Sequence, residues 1–87
     1  MYYYSTVDGI VTTHSGIVER NGFDYVDVHF ERPNEHGFDF LDLSLPGEIV
    51  SRSFGFSEDE TLKLQRYARN NSALLWDFAE KGGGQNA

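Results

Sequence analysis

Any chemistry in this chain would have to centre on His29. On an extended strand its side chain shares a face with Asp27 and Glu31, and together they offer the nitrogen and oxygen donors of a borderline metal site. A second run of the same design lies fifteen positions on and adds Asp42 to that set. Asp27 and Asp42 are also the kind of carboxylate pair that serves as general acid and base. Strand alternation, however, brings only two or three such groups together, and the chain has no HExxH, no EF-hand loop and no paired histidine spacing. His36 falls in an expected turn and His14 beside an expected bulge, where solvated rings are the plain expectation. There is no GxSxG, and the glycine run at 82–84 follows a helix instead of opening one, which is the wrong end for a phosphate. No catalytic residue, metal ligand or cofactor is assigned, and an enzyme is not expected. A small metal-dependent enzyme built on His29 is the least favoured alternative.

The elements that position these side chains are two near-copies, Gly22 to Phe30 (GFDYVDVHF) and Gly37 to Leu45 (GFDFLDLSL). Both are rich in the β-branched and aromatic residues that suit a pleated surface, so both are read as strands. Alternation puts Val26, Val28 and Phe30 on one face with Leu41, Leu43 and Leu45, and this is the predicted core. The opposite face carries Phe23, Tyr25, Asp27 and His29 from the first copy, and Phe38, Phe40, Asp42 and Ser44 from the second. Pro33, Asn34 and Gly37 between the copies predict an antiparallel hairpin. Like-charge repulsion disfavours the register with Asp27 against Asp42, and leaves His29 opposite Asp42 as the preferred one.

Around this hairpin the chain reads as a meander of about four to six short strands. Asp8-Gly9 joins Tyr2–Val7 to Ile10–Thr13, Gly16 marks a bulge or bend before Ile17–Arg20, and Asn21-Gly22 is the strongest hairpin signal. Pro46-Gly47 turns the chain toward a last strand over Glu48–Phe54. At Phe56 the period changes. Ser57 and Glu60 form a capping box, and Leu64, Tyr67, Ala68, Asn71, Leu74, Leu75 and Phe78 recur at helical spacing. Asn70, Asn71 and Ser72 are poor interior helix residues, but the stripe runs through them in phase, so one long helix ending near Lys81 is predicted on the aliphatic side of the sheet. Trp76 lies off that stripe and is expected to seal the sheet edge rather than stand exposed. The fold class is α+β, with one domain over 1–81 and a disordered Gly-rich tail over 82–87.

The 87 residues carry fourteen acids and seven Lys plus Arg, a formal net charge of -7, and no cysteine. Residues 1–46 hold eight of the acids but only two of the bases, so the sheet is the acidic part. Such a field disfavours direct binding to nucleic acid or an anionic membrane and favours a basic protein partner. Disulfides and cysteine zinc sites are excluded. No apolar run approaches a membrane span and MYYYSTVDG does not read as a signal peptide, so a cytoplasmic protein is expected. The expected partner-binding residues are Phe23, Tyr25, Asp27, His29, Phe38, Phe40 and Asp42, an aromatic patch rimmed by Asp24, Asp27, Asp39 and Asp42. The first function is a non-enzymatic binding module, inhibitor or adaptor. The alternative is a structural protein that forms a homodimer through the same face. In size, acidity and lack of cysteine or catalytic motifs the chain resembles the small accessory proteins of bacterial phages and mobile elements, a group that includes anti-CRISPR and other inhibitor proteins. That resemblance matches no particular residues and assigns no site.

Overall fold

The computed structural model describes residues 1–82. Five strands, β1 (Tyr2–Val7), β2 (Ile10–Arg20), β3 (Phe23–Asn34), β4 (Gly37–Leu45) and β5 (Ile49–Phe54), precede two helices, α1 (Glu58–Asn70) and α2 (Ser72–Glu80). Each strand pairs antiparallel with the next, so the sheet order is the chain order. Local chemistry fixes two of the turns. Asp8-Gly9 (φ 51 and 77) and Asn21-Gly22 (φ 55 and 83) adopt the left-handed dihedrals that match a tight turn to the twist of the sheet. The two runs expected on either side of Gly16 form one strand, β2, whose register shifts between His14 and Ile17. In the central hairpin His29 lies opposite Asp42 and Asp27 opposite Ser44, which keeps the two aspartates out of direct opposition.

The core lies between one face of the sheet and the helices. Val26, Val28, Phe30, Leu41, Leu43 and Leu45 are all at most 1% exposed, and Leu64, Ala68, Leu75 and Ala79 cover them. Ala68 and Ala79 let the helix backbones come close to the sheet. The Ser57–Glu60 capping box is formed. Glu60 has a second partner, because Arg32 Nη1 donates to it at 2.6 Å while Nε and Nη2 bond Asp39. This bridge clamps the start of α1 to β3 and β4, and Arg32 holds the Glu60 carboxyl down to about 2. Gly55, at φ 90, is required where the chain leaves β5, since a Cβ there would overlap the Asp39 carboxylate.

The single long helix expected over this face is instead two helices that meet at Asn71. The amide of Asn71 makes the break. Its Nδ2 bonds the Tyr67 carbonyl at 2.8 Å, and its Oδ1 accepts the Tyr4 hydroxyl of β1 at 2.6 Å. A side chain bonded to its own preceding turn and to the sheet competes with a straight helix. The break also leaves Leu74, expected on the buried stripe, about half exposed. Trp76 is partly buried and packs against the core. His14 is not solvated. It is fully buried beside the rings of Tyr2, Tyr4 and Phe78, because the β2 bulge lies under α2. Its Nδ1 donates to the Ser15 carbonyl at 2.8 Å, and its Nε2 has no partner among the described residues. The expected Gly-rich tail lies, from 83 on, outside the described residues. No described helix is long and apolar enough to cross a membrane.

If the Tyr4–Asn71 bond fixes the break, Asn71→Ala lowers unfolding free energy by about 1–3 kcal/mol, because it removes the bonds to the half-buried Tyr4 hydroxyl and to the Tyr67 carbonyl. Tyr4→Phe costs about 1 kcal/mol. Urea unfolding followed by circular dichroism measures both, and equal stability in Asn71→Ala and wild type would refute the assignment.

Candidate functional site

No described element covers the sheet face away from the helices. Strand alternation delivers to it Tyr25, Asp27, His29 and Glu31 from β3 and Phe38, Phe40, Asp42 and Ser44 from β4, in the pairing Asp27 with Ser44, His29 with Asp42 and Glu31 with Phe40. Phe23 continues the β3 row beside Arg20 of β2. The sequence-predicted residues therefore do share one surface. Phe23 and Phe38 are more than half exposed, while Tyr25 and Phe40 are half-buried.

Two of the four expected rim carboxylates are elsewhere. Asp39 has the opposite parity and is buried on the helix side with Arg32, and Asp24 pairs across to Glu19 on that same parity. Asp27 and Asp42 are on the open face, but neither is a free charge. Arg20 holds Asp27 through two hydrogen bonds of 3.0 and 2.7 Å, and the Ser44 hydroxyl donates to the same carboxylate at 2.8 Å. The Arg20 guanidinium also lies 4.9 Å from the centre of the Tyr25 ring, a cation–π contact. Asp42 accepts from His29 Nδ1 at 2.5 Å and from Arg52 Nε and Nη2 at 3.1 and 3.0 Å. Arg52 in turn lies over Phe40, which stacks between His29 and Phe54.

The proton on His29 follows from its neighbours. Its Nε2 faces Glu31 at 3.1 Å, so both ring nitrogens point at carboxylate oxygens, and two acceptors call for two N–H donors. Only the imidazolium supplies both. Desolvation by itself would lower the pKa, but the hydrogen bonds and charges of Asp42 and Glu31 outweigh it and raise His29 above its ordinary value of 6.5. Asp27 moves the other way, held down by the Arg20 hydrogen bond against an opposing desolvation. With His29 charged, the face carries three cations (Arg20, His29, Arg52) and three anions (Asp27, Glu31, Asp42), so it is balanced rather than acidic.

Sequence reasoning missed Arg20, Arg52, Ile49 and Phe54 as members of this surface. The first was legible from the Asn21-Gly22 turn, which fixes Arg20 opposite Phe23. The three on β5 were not, because a register shift between Asp42 and Leu43 in the β4–β5 pairing decides which β5 side chains face out. Two of them, Arg20 and Ile49, line a concavity of about 570 Å³ together with Met1, Tyr25, Asp27, Asp42 and Ser44. No group of three or more His, Cys, Asp or Glu side chains among the described residues is arranged to hold a metal ion.

Because the folded-state pKa of His29 is raised, its stabilising contribution is complete below the unfolded value near 6.5 and is lost as pH rises through the higher folded value. Wild type is therefore expected to exceed His29→Gln in melting temperature most clearly at about pH 6, with the gap narrowing above neutrality. A gap that widens with pH would show that His29 is held neutral. Charge reversal at Asp27 or Asp42, by contrast, breaks ion pairs within the face, so it lowers stability and cannot report on binding alone.

No family model, no curated protein and no solved structure matches this chain.

Proposed function

We propose that this protein is a non-enzymatic binding module, an inhibitor or adaptor, whose open sheet face receives a basic and partly apolar surface of a protein partner. The observation that carries this reading is the run of exposed apolar side chains on the face that no described element covers. Phe23, Phe38, Phe54 and Ile49 are 68, 56, 64 and 60% exposed. Ile49 lines a concavity with Arg20, Tyr25, Asp27 and Asp42, while Phe38 and Phe54 stand toward the other end of the face. Large exposed apolar groups set beside oriented polar groups are the anatomy of a recognition site. The polar groups are already locked by their own ion pairs, so little side-chain entropy remains to be lost on binding.

Charge complementarity favours a basic partner, though through a different part of the molecule than the aspartates of the face. Glu19, Asp24 and Glu35 make no ion pair among the described residues; Glu35 lies in the β3–β4 turn, and Glu19 and Asp24 lie beside the β2–β3 turn on the helix-side parity. A partner with a cationic rim around an apolar contact meets that pattern, and the net charge of -7 steers it in. A binding role is supported over a catalytic one by the occupation of the reactive groups. Both His29 nitrogens are engaged by carboxylates, and the Ser44 hydroxyl donates to Asp27 rather than to a base.

The test is affinity capture with immobilised protein, wild type beside a Phe23→Ser, Phe38→Ser double variant. Each ring is largely exposed, so the variant is expected to keep its stability within about 0.5 kcal/mol per site. A basic partner retained by wild type, released by salt and lost with the folded double variant is the expected result. Equal retention by both proteins would remove the open face from the binding reaction.

A further inference from the structure

The helices do not cover their side of the sheet evenly. α2 packs chiefly over β2, and α1 over β4. A cleft of about 300 Å³ is left between α1 and the β1–β2 hairpin. Its apolar lining is Val7, Ile10, Phe30, Leu64 and Tyr67, of which Phe30 and Leu64 belong to the core. Small-molecule sites run from roughly 300 to 1,000 Å³, so this one suits a ligand of amino-acid size.

Two features distinguish the cleft from a packing gap. Thr12 lines it beside Phe30, its cross-strand neighbour, and is 2% exposed, yet its hydroxyl has no hydrogen-bond partner among the described residues. A hydroxyl removed from bulk water without a protein partner costs free energy that a ligand group can recover. The second feature is at the mouth. Asp8 of the β1–β2 turn and Lys63 of α1 both line the cleft, both are exposed, and neither makes an ion pair among the described residues. The other two charges there, Arg32 and Glu60, are bonded to each other at 2.6 Å. One unpaired anion and one unpaired cation thus stand on the two walls of an apolar cleft whose buried end holds an unpartnered hydroxyl.

We propose that this cleft binds a free α-amino acid with a hydroxylated aromatic side chain, of the tyrosine type. Asp8 takes the ammonium and Lys63 the carboxylate, and both ligand charges stay near water at the mouth. The ring lies among Phe30, Leu64 and Tyr67, and its hydroxyl gives Thr12 the partner it lacks. A zwitterion carries no net charge, so the -7 of the chain does not oppose it, whereas a simple carboxylate is repelled and a simple ammonium leaves Lys63 unpaired. The cleft is on the opposite side of the sheet from the Phe23 and Phe38 rings, so its ligand is independent of a protein partner on the open face.

The experiment is a titration of isotope-labelled protein followed by amide chemical shifts in nuclear magnetic resonance. The probes are tyrosine, phenylalanine, tyramine, which lacks the carboxylate, and hydroxyphenylpropionate, which lacks the ammonium. Tyrosine is expected to move the signals of Asp8, Thr12 and Lys63 saturably and to bind roughly twofold to fivefold tighter than either single-charge analogue. The missing hydrogen bond makes phenylalanine roughly twofold to tenfold weaker. Asp8→Asn, which tolerates the left-handed dihedral at that position (φ 51), removes the advantage over hydroxyphenylpropionate. Lys63→Gln removes the advantage over tyramine, and Thr12→Val the advantage over phenylalanine. Asp8 and Lys63 are exposed, so their variants decide the matter if Thr12→Val disturbs the fold. The Phe23→Ser, Phe38→Ser protein binds tyrosine as wild type does. Absence of saturable shifts at the cleft with tyrosine overturns the proposal. So do preferences that survive both Asp8→Asn and Lys63→Gln, or binding that is lost with the Phe23 and Phe38 rings.

Discussion

The structure rests on the aliphatic ladder of the central hairpin. Val26 opposite Leu45, Val28 opposite Leu43 and Phe30 opposite Leu41 make three cross-strand pairs with no meaningful exposure. A one-residue slip would send all six side chains to the wrong side of the sheet, so the burial of this ladder fixes the register of the strands at the centre. Once it is fixed, the composition of the other face is settled. Every aromatic, carboxylate and histidine that alternates with those six must stand on the open side, and the placement of the candidate site is a consequence of the core rather than an independent feature.

That consequence creates an electrostatic difficulty, which the neighbouring strands resolve. The β3 and β4 residues facing outward include Asp27, Glu31 and Asp42 and no arginine. Unrelieved, three carboxylates on a small patch would repel one another. Arg20 enters from the end of β2 and Arg52 from β5, each with its guanidinium over an aromatic ring and reaching a different aspartate. His29 takes the remaining positions between Asp42 and Glu31. The cation–π contacts with Tyr25 and Phe40 add to ion pairs that, with arginines this exposed, would by themselves be worth little. The excess negative charge of the chain therefore lies outside the centre of the face, on acids such as Asp8, Glu35, Glu58 and Asp59 that make no ion pair among the described residues.

What the sequence made legible is what neighbours in sequence decide. Asp8-Gly9 and Asn21-Gly22 specify their turns through their own dihedrals, Ser57 and Glu60 cap a helix within one turn, and alternation sorts β3 and β4 into two faces. His29 opposite Asp42 could be preferred from charge alone. The features that escaped depend on contacts between distant segments. The helix breaks at Asn71 because Tyr4, sixty-seven positions earlier, bonds its amide. His14 is buried because a bulge in β2 happens to lie under α2. Each requires knowing which element lies against which, and periodicity carries no such information. Asp39 is different: it shares the parity of Leu41 and Leu43, so alternation alone puts it on the helix side, where Arg32 joins it to Glu60.

Covering one side of the sheet with helices leaves the other face with fixed, mutually satisfied charges set among exposed rings. Because Arg20, Asp27, His29, Glu31, Asp42 and Arg52 already pair with one another, a contact made on this face gains little by neutralising them. The exposed rings of Phe23, Phe38 and Phe54 are what the face has left to bury.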